Sequence, residues 1–348
     1  MIAVDLLRAV RVAIAHGYPD GPCPDGLASA MVVKDVLPDA EVRFVSHNTR
    51  EHDELCAEPN TLFVDMVPPE KRVAEFVAAG AIVLDHHQSS RHLVEAFGER
   101  GIFGDEATQP GVSGAVLAFE QVWLPLAQVR YGEHARVASP PPDLREIQAE
   151  ETERVRCFAE LAGVRDTWQT ADPRWRRACM QAKVLRFFPA ADWLEADGDP
   201  LNEERLRRRM EMLGEVLMRK DEEESRKLVA NAYHFVTERG LRVAVLPSTY
   251  VSDASVLLAD VADVVVGFNY RAGNAAVPDL RLSFRSRGAV DVAAIAKTLG
   301  GGGHTNAAGA AVSTLLHREG DHYDESTSRN PYSEIKYIFH VFERTRCP

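Results

Sequence analysis

Asp85, His86 and His87 stand in a row at the end of the apolar run Ala81–Leu84, and together they offer a hard oxygen ligand, a borderline nitrogen ligand and a proton donor. Taken alone, a tripeptide of this kind is more often a polar turn after a strand. Three further features change the reading. Asp65 ends the run Leu62–Val64 in the same way. The segment from Cys23 through Asp25 and Gly26 to Ala30 follows the run Val12–Ala15 and its His16. The run Gly300–Gly303 closes far downstream on His304. Acids and imidazoles gathered on divalent cations polarise phosphate oxygens and lower the pKa of a water, which is phosphoester chemistry. Glycines that let backbone N–H groups approach an anion, beside Arg285 and Arg287, suit a phosphate-holding loop.

The elements that must position these groups are legible as periodicity. Val12–Ala15, Val42–Val45, Leu62–Val64 and Ala81–Leu84 are short, nearly continuous apolar runs, as expected of strands covered on both faces. The intervening segments Asp25–Val36 and Pro69–Ala79 are long enough for crossover helices. The pattern predicts an α/β fold with a doubly wound parallel sheet, whose ligands collect at the carboxyl ends of the strands. Residues 143–235 read mainly as helix, with Leu206, Met210, Leu213 and Leu217 on one stripe and the arginines around them on a solvated face. A smaller α/β pattern follows, with strands at Arg242–Leu246, Asp263–Phe268 and Leu280–Phe284 and a helix at Val290–Leu299 capped by Asp291. The expected organisation is residues 1–190 as a metal-binding domain, 191–236 as a helical linker and 237–348 as a substrate-binding domain with a C-terminal extension.

Composition narrows the partners. The 348 residues are 45% hydrophobic and 26% charged, ordinary for a globular protein, with a net charge of −12. That balance argues against tracking long duplex DNA, which calls for a basic groove, and favours a small anionic substrate met through bound cations. No run reaches the roughly 20 apolar residues that span a bilayer. Asp5, Arg8 and Arg11 interrupt the N-terminal stretch, against a signal peptide, and the five cysteines form no CxxC pair, which points to a reducing, cytoplasmic setting.

These motifs, in this order, resemble those of the DHH/DHHA1 phosphoesterase family, over almost the whole chain. Asp85, His86 and His87 match the DHH motif; His16, Cys23, Asp25 and Gly26 match the first motif, with cysteine at its first aspartate and a longer interval after His16. Asp65 matches the second motif and Asp166 the fourth, with Asp172 a nearby competitor; Arg285–Gly288 and Gly301–His304 match the DHHA1 part. The resemblance implies a dinuclear manganese site. Asp65 would bridge, with His16 and the position of Cys23 on one ion and Asp25, His86 and Asp166 on the other. Asp20 could replace Cys23 as ligand, and a single tight ion is the other outcome; Mg2+ or Co2+ would substitute for manganese. His87 would contact the scissile phosphate and Asp85 would orient it, while Arg285, Ser286, Gly302, Gly303 and His304 would hold the substrate's far end. The implied activity is hydrolysis of short nucleotidic phosphates such as nano-RNA, dinucleotides or a nucleoside bisphosphate. A single-strand exonuclease and a non-catalytic nucleotide-binding regulator are the alternatives, and a homodimer is compatible with the resemblance. The remaining histidines, His47 and His52 among them, read as structural.

Overall fold

A computed structural model of the chain describes residues 2–18, 21–47, 49–134, 143–195, 199–248, 251–271, 279–287, 290–312 and 331–345. The chain divides into two compact units, Met1–Met218 and Arg219–Pro348. Segment 191–236, expected to be a helical connection, contains the helices Ala191–Leu194, Glu203–Arg209 and Glu215–Ala230 and is shared between the units.

The first unit is built on a sheet of strands β1 (Val12–Tyr18), β2 (Gly21–Pro22), β3 (Glu41–Val45), β4 (Thr61–Val64), β5 (Ile82–Asp85) and β6 (Gly101–Phe103). Its parallel part runs β3-β1-β4-β5-β6, with β2 turning back antiparallel on the end of β1. The four strands expected from apolar runs are all present; β2 and β6 are additions. Alternate residues feed two different cores, as a doubly wound sheet requires. Ala13, Ala15, Leu62, Val64 and Leu84 face one, with Leu27, Met31 and Trp123, while Val12, Ile14, Phe63 and Val83 face the other, with Phe76 and Phe97.

The helix Pro24–Val36 crosses one face and is buried almost throughout its first nine positions after Pro24. Proline at its start supplies a pre-set φ where the N–H would be unbonded in any case. Close packing onto β1 depends on Gly26, where a Cβ would stand 2.1 Å from the backbone oxygen of His16. The chain continues through helix Gly114–Ala118, capped by Ser113, and through Leu144–Asp166 and Trp175–Phe187. Around the expected arginine face, Arg207 and Arg208 pair with Glu204, but Arg209 lies 4.0 Å over Phe188 and 4.2 Å over Trp193. That arginine covers aromatic surface rather than standing in solvent.

The second unit carries strands β7 (Tyr233–Val236), β8 (Arg242–Leu246), β9 (Val264–Arg271), β10 (Asp279–Ser286), β11 (Gly302–His304) and β12 (Ala307–Val312), in the order β11-β12-β10-β9-β8-β7. Only β8 and β9 are parallel neighbours. The helix Val292–Thr298 is capped by Asp291, which accepts from Ala294 N, and the helix Pro331–Thr345 buries Ile335, Ile338, Phe339 and Phe342. Among the described residues, no helix is long and apolar enough to cross a membrane.

Candidate metal centre

Asp65 stands one residue past β4, with φ +61, a left-handed backbone uncommon outside glycine, which aspartate and asparagine tolerate better than most residues. Its N–H donates to Leu84 O at 2.9 Å, so the bend is tied to the neighbouring strand tip. The carboxylate is 1% exposed and meets imidazoles from both directions: His86 Nε2 is 3.2 Å from Oδ1, and His16 Nδ1 is 3.6 Å from Oδ2. His86 Nε2 also lies 3.4 Å from Asp166 Oδ2 and 3.8 Å from Asp25 Oδ2. Among the described residues, the candidate donor sets include His16 with Cys23 and Asp65, and Asp25 with His86 and Asp166, with the atoms of each set within 4.8 Å of one another; Asp65, Asp85, His86 and His87 form a further such group.

Asp25 is held by local structure. It lies in the first turn of helix Pro24–Val36 and accepts from Ser113 Oγ at 2.8 Å, Gly114 N at 2.7 Å and Ala115 N at 3.2 Å. The start of helix Gly114–Ala118 therefore aims its N–H groups at this carboxylate. Gly114 is required for that approach, because a Cβ there would come within 2.4 Å of Asp65 Cβ and 2.9 Å of Asp25 Oδ2.

Asp85 plays a different part. Its Oδ1 is 2.7 Å from His87 Nδ1, and its Oδ2 accepts from Ser90 Oγ. Burial alone would discharge His87, but Asp85 overrides it and lifts the imidazole to a pKa of about 10, so the ring carries its proton at neutral pH. His87 in return, against the desolvation of a fully buried acid, holds Asp85 below the usual carboxylate range.

The electrostatics of the cluster as a whole call for positive charge. Burial, and then the carboxylates of Asp65 and Asp166, push Asp25 well above its ordinary value. Asp65 is buried too, yet His16 and His86 keep it low. Burial works against a charge on His16, and Asp65, Asp166 and Asp85 together overcome it and raise its pKa. His16 Nδ1, Asp65 Oδ2 and Asp166 Oδ2 are buried and make no hydrogen bond. Several buried acids meeting on buried imidazoles, with ligand atoms left without hydrogen bonds, fit divalent cations.

Asp172 does not compete with Asp166: it accepts from Arg174 N at 2.7 Å and pairs with its guanidinium at 2.9 Å. Asp20 lies outside the described residues. Cys23 is 4% exposed, and burial pushes its thiol up to about 12.

In the second unit the expected anion-holding residues are engaged with their own scaffold. Arg285 donates to Ser252 Oγ at 3.1 Å, Ser283 Oγ at 3.2 Å and Phe284 O at 2.8 Å. Ser286 Oγ donates to Val290 O at 2.6 Å, and Ser286 N to Asn306 O at 3.0 Å. The glycine run, expected as an open loop, is partly strand. Gly302, Gly303 and His304 pair with Gly309, Ala308 and Ala307. A Cβ at Gly301 would sit 2.1 Å from Gly309 O, and one at Gly303, where φ is +138, would sit 2.5 Å from Ala307 O. Close contact with β12 is the immediate reason for these glycines.

Sequence reasoning set aside three contributors. His47, read as structural, has its ring 5.0 Å from His16 and 6.1 Å from His87, and burial lowers its pKa to about 3, leaving it neutral. Its signal was the register of β3 on β1, which pairs Val45 with His16 and so carries the following loop beside the site. Glu106, three residues past β6, is raised by burial and by Asp166 nearby. Ser113, not among the expected site residues, is a hydrogen-bond donor to a candidate ligand.

Among known proteins, residues 247–322 match the DHHA1 domain family. The fold is similar to the solved DHH domain of a member of a family of ribosomal proteins, at 12% identity and a TM-score of 0.51, over 98% of this chain and 87% of that one. Two further solved structures align at lower TM-scores. One is a pGpG-specific phosphodiesterase from Vibrio cholerae, at 13% identity and 0.46, over 95% of this chain and 98% of the other. The other is an exopolyphosphatase-related protein from Bacteroides fragilis, at 11% identity and 0.43, over 98% and 94%. No curated protein matches the sequence.

Proposed function

We propose, from the premise that this chain has DHH/DHHA1 architecture with its DHHA1 domain at residues 247–322, that it is a metal-dependent phosphoesterase acting on short nucleotidic substrates. One observation carries the reading: Asp25, Asp65, His86 and Asp166, from four separate segments, converge beside His16 at the carboxyl edge of a parallel sheet. Manganese is the cation we assign first, because a mixed carboxylate and imidazole shell suits it. Bound there, cations would polarise phosphate oxygens and make a water nucleophilic at neutral pH.

The protein's own groups do the remainder. Asp85 fixes the His87 ring through Nδ1 and favours its protonated form, which would stabilise charge on a phosphate held beside it. Ser113 and the N–H groups of Gly114 and Ala115 hold the Asp25 carboxylate in place for the cation. In the second unit we assign Arg285, Ser286, Gly302, Gly303 and His304 to substrate holding, on the strength of the DHHA1 match alone.

Product release from a linear dinucleotide, a cyclic dinucleotide, a nucleoside bisphosphate and pyrophosphate by manganese-loaded protein is the decisive measurement. Turnover of a nucleotidic substrate, lost in Asp85→Ala, is expected. Absence of product from every substrate, with Asp85→Ala indistinguishable from the parent, would overturn the reading. Cys23 among the candidate ligands favours one rival, a nucleotide-binding regulator without turnover. Tight nucleotide binding with no product in any divalent cation would select it.

A further inference from the structure

We propose that the two donor sets differ in softness. The His16–Cys23–Asp65 set takes a thiophilic divalent cation of the zinc, ferrous or cobaltous kind, with Cys23 sulfur as a ligand, while Asp25–His86–Asp166 takes a hard cation such as manganese. The inference rests on the metal-dependent reading above and deepens it.

Donor chemistry separates the sets. One presents a sulfur, an imidazole and a carboxylate; the other presents two carboxylates and an imidazole. Sulfur and imidazole select zinc-like ions, and carboxylates select manganese and magnesium. Bonds of roughly 2.0–2.3 Å to such an ion place donor atoms no more than about 4.5 Å apart. The sulfur, imidazole and carboxylate atoms of the first set lie within 4.8 Å of one another, so a small inward shift would bring them onto one ion. His16 Nδ1 and Asp65 Oδ2 face each other at 3.6 Å, buried, neither making a hydrogen bond, as two ligands of one ion would stand.

Cys23 is held in that position. It precedes Pro24 at the start of a buried helix, and its carbonyl accepts from Leu27 N at 2.8 Å. Cys179 provides the contrast within the same unit: it is equally buried, on helix Trp175–Phe187, and belongs to neither donor set. Binding requires no redox partner. The Sγ–H bond breaks, the proton leaves to solvent, and the electron pair on sulfur forms the bond to the cation.

The test is a cobalt titration of the metal-stripped full chain, followed by near-ultraviolet absorption and by elemental analysis of bound ions. A sulfur-to-cobalt charge-transfer band should grow with the first equivalent, persist in Cys179→Ser and vanish in Cys23→Ser. Cys23→Ser should weaken cobalt binding at least about tenfold, a typical loss for a perturbed metal shell. Cys23→Asp, with circular dichroism checking the fold, should abolish the band and tighten manganese binding at the same set. Bound cobalt without the band, or a band that survives Cys23→Ser, overturns the inference. So does a failure to bind cobalt. Hydrolysis measured in parallel with manganese separates the two ideas: turnover without a sulfur band removes only the mixed-metal inference, and loss of both binding and turnover removes the parent reading as well.

Discussion

The edge of the first sheet and the β10–β12 region of the second unit were both singled out by motifs, and they behave oppositely. At the first, His16 Nδ1, Asp65 Oδ2 and Asp166 Oδ2 are buried without hydrogen bonds, and like charges are pressed together. At the second, Arg285, Ser286 and the glycines of β11 bond to or pack against their own strands. A cluster that leaves several of its buried ligand atoms unbonded is built around something else, because unpaired buried polar groups are expensive. A motif whose members do satisfy one another is explained first as scaffold, and a ligand role there needs separate support.

The comparison breaks most easily at Asp65. Asp65→Asn should cost more than the roughly 10- to 100-fold that loss of an outer partner costs in metal affinity, read by calorimetry, with turnover falling in step. An unchanged affinity would mean the unsatisfied cluster is not a cation site. Next in size are two glycine substitutions with opposite readouts. Gly114→Ala should destabilise the protein by about 2–3 kcal/mol and weaken metal binding as well, since the new methyl meets Asp65 and Asp25. Gly303→Ala should destabilise through its backbone angle and its contact with Ala307 O, leaving metal affinity as it was. Denaturant unfolding paired with calorimetry distinguishes them.

A subtler pair compares serines. Ser113→Ala removes a donor to Asp25 and should lower metal affinity about tenfold. Ser286→Ala should cost about 1 kcal/mol of stability through the lost bond to Val290 O and leave metal binding unaltered. A separate prediction concerns pH. The folded pKa of His87 is raised to about 10, above an unfolded value near 6.5. Its contribution to stability is thus complete below about pH 6.5 and is lost as pH rises through about 10. In metal-free protein, the stability gap between the parent and His87→Gln should be wide at pH 6 and narrow by pH 10.5.

Much of this was open to reading from residues alone, and the exceptions have physical causes. Strands β1, β3, β4 and β5 announced themselves because burial on both faces demands unbroken apolar runs. β6 is only three residues long and begins with glycine, too short to show an alternation, and β12, Ala307–Val312, is mostly alanine, which strands disfavour. Asp25, Asp65 and Asp85–His87 stood out by their place at strand ends or helix starts, where local pattern and chemistry coincide. His47 did not, because only the pairing of β3 with β1 brings its loop to His16. Ser113 acts on a residue 88 positions earlier, a relation that no local spacing encodes.

The left-handed turn at Asp65 has a consequence for speed. The amide link to Leu84 ties that kink to the neighbouring strand, so the fold itself holds the acid in place for an arriving ion. Capture should then be governed by how fast the ion sheds its water shell, with little delay from protein rearrangement.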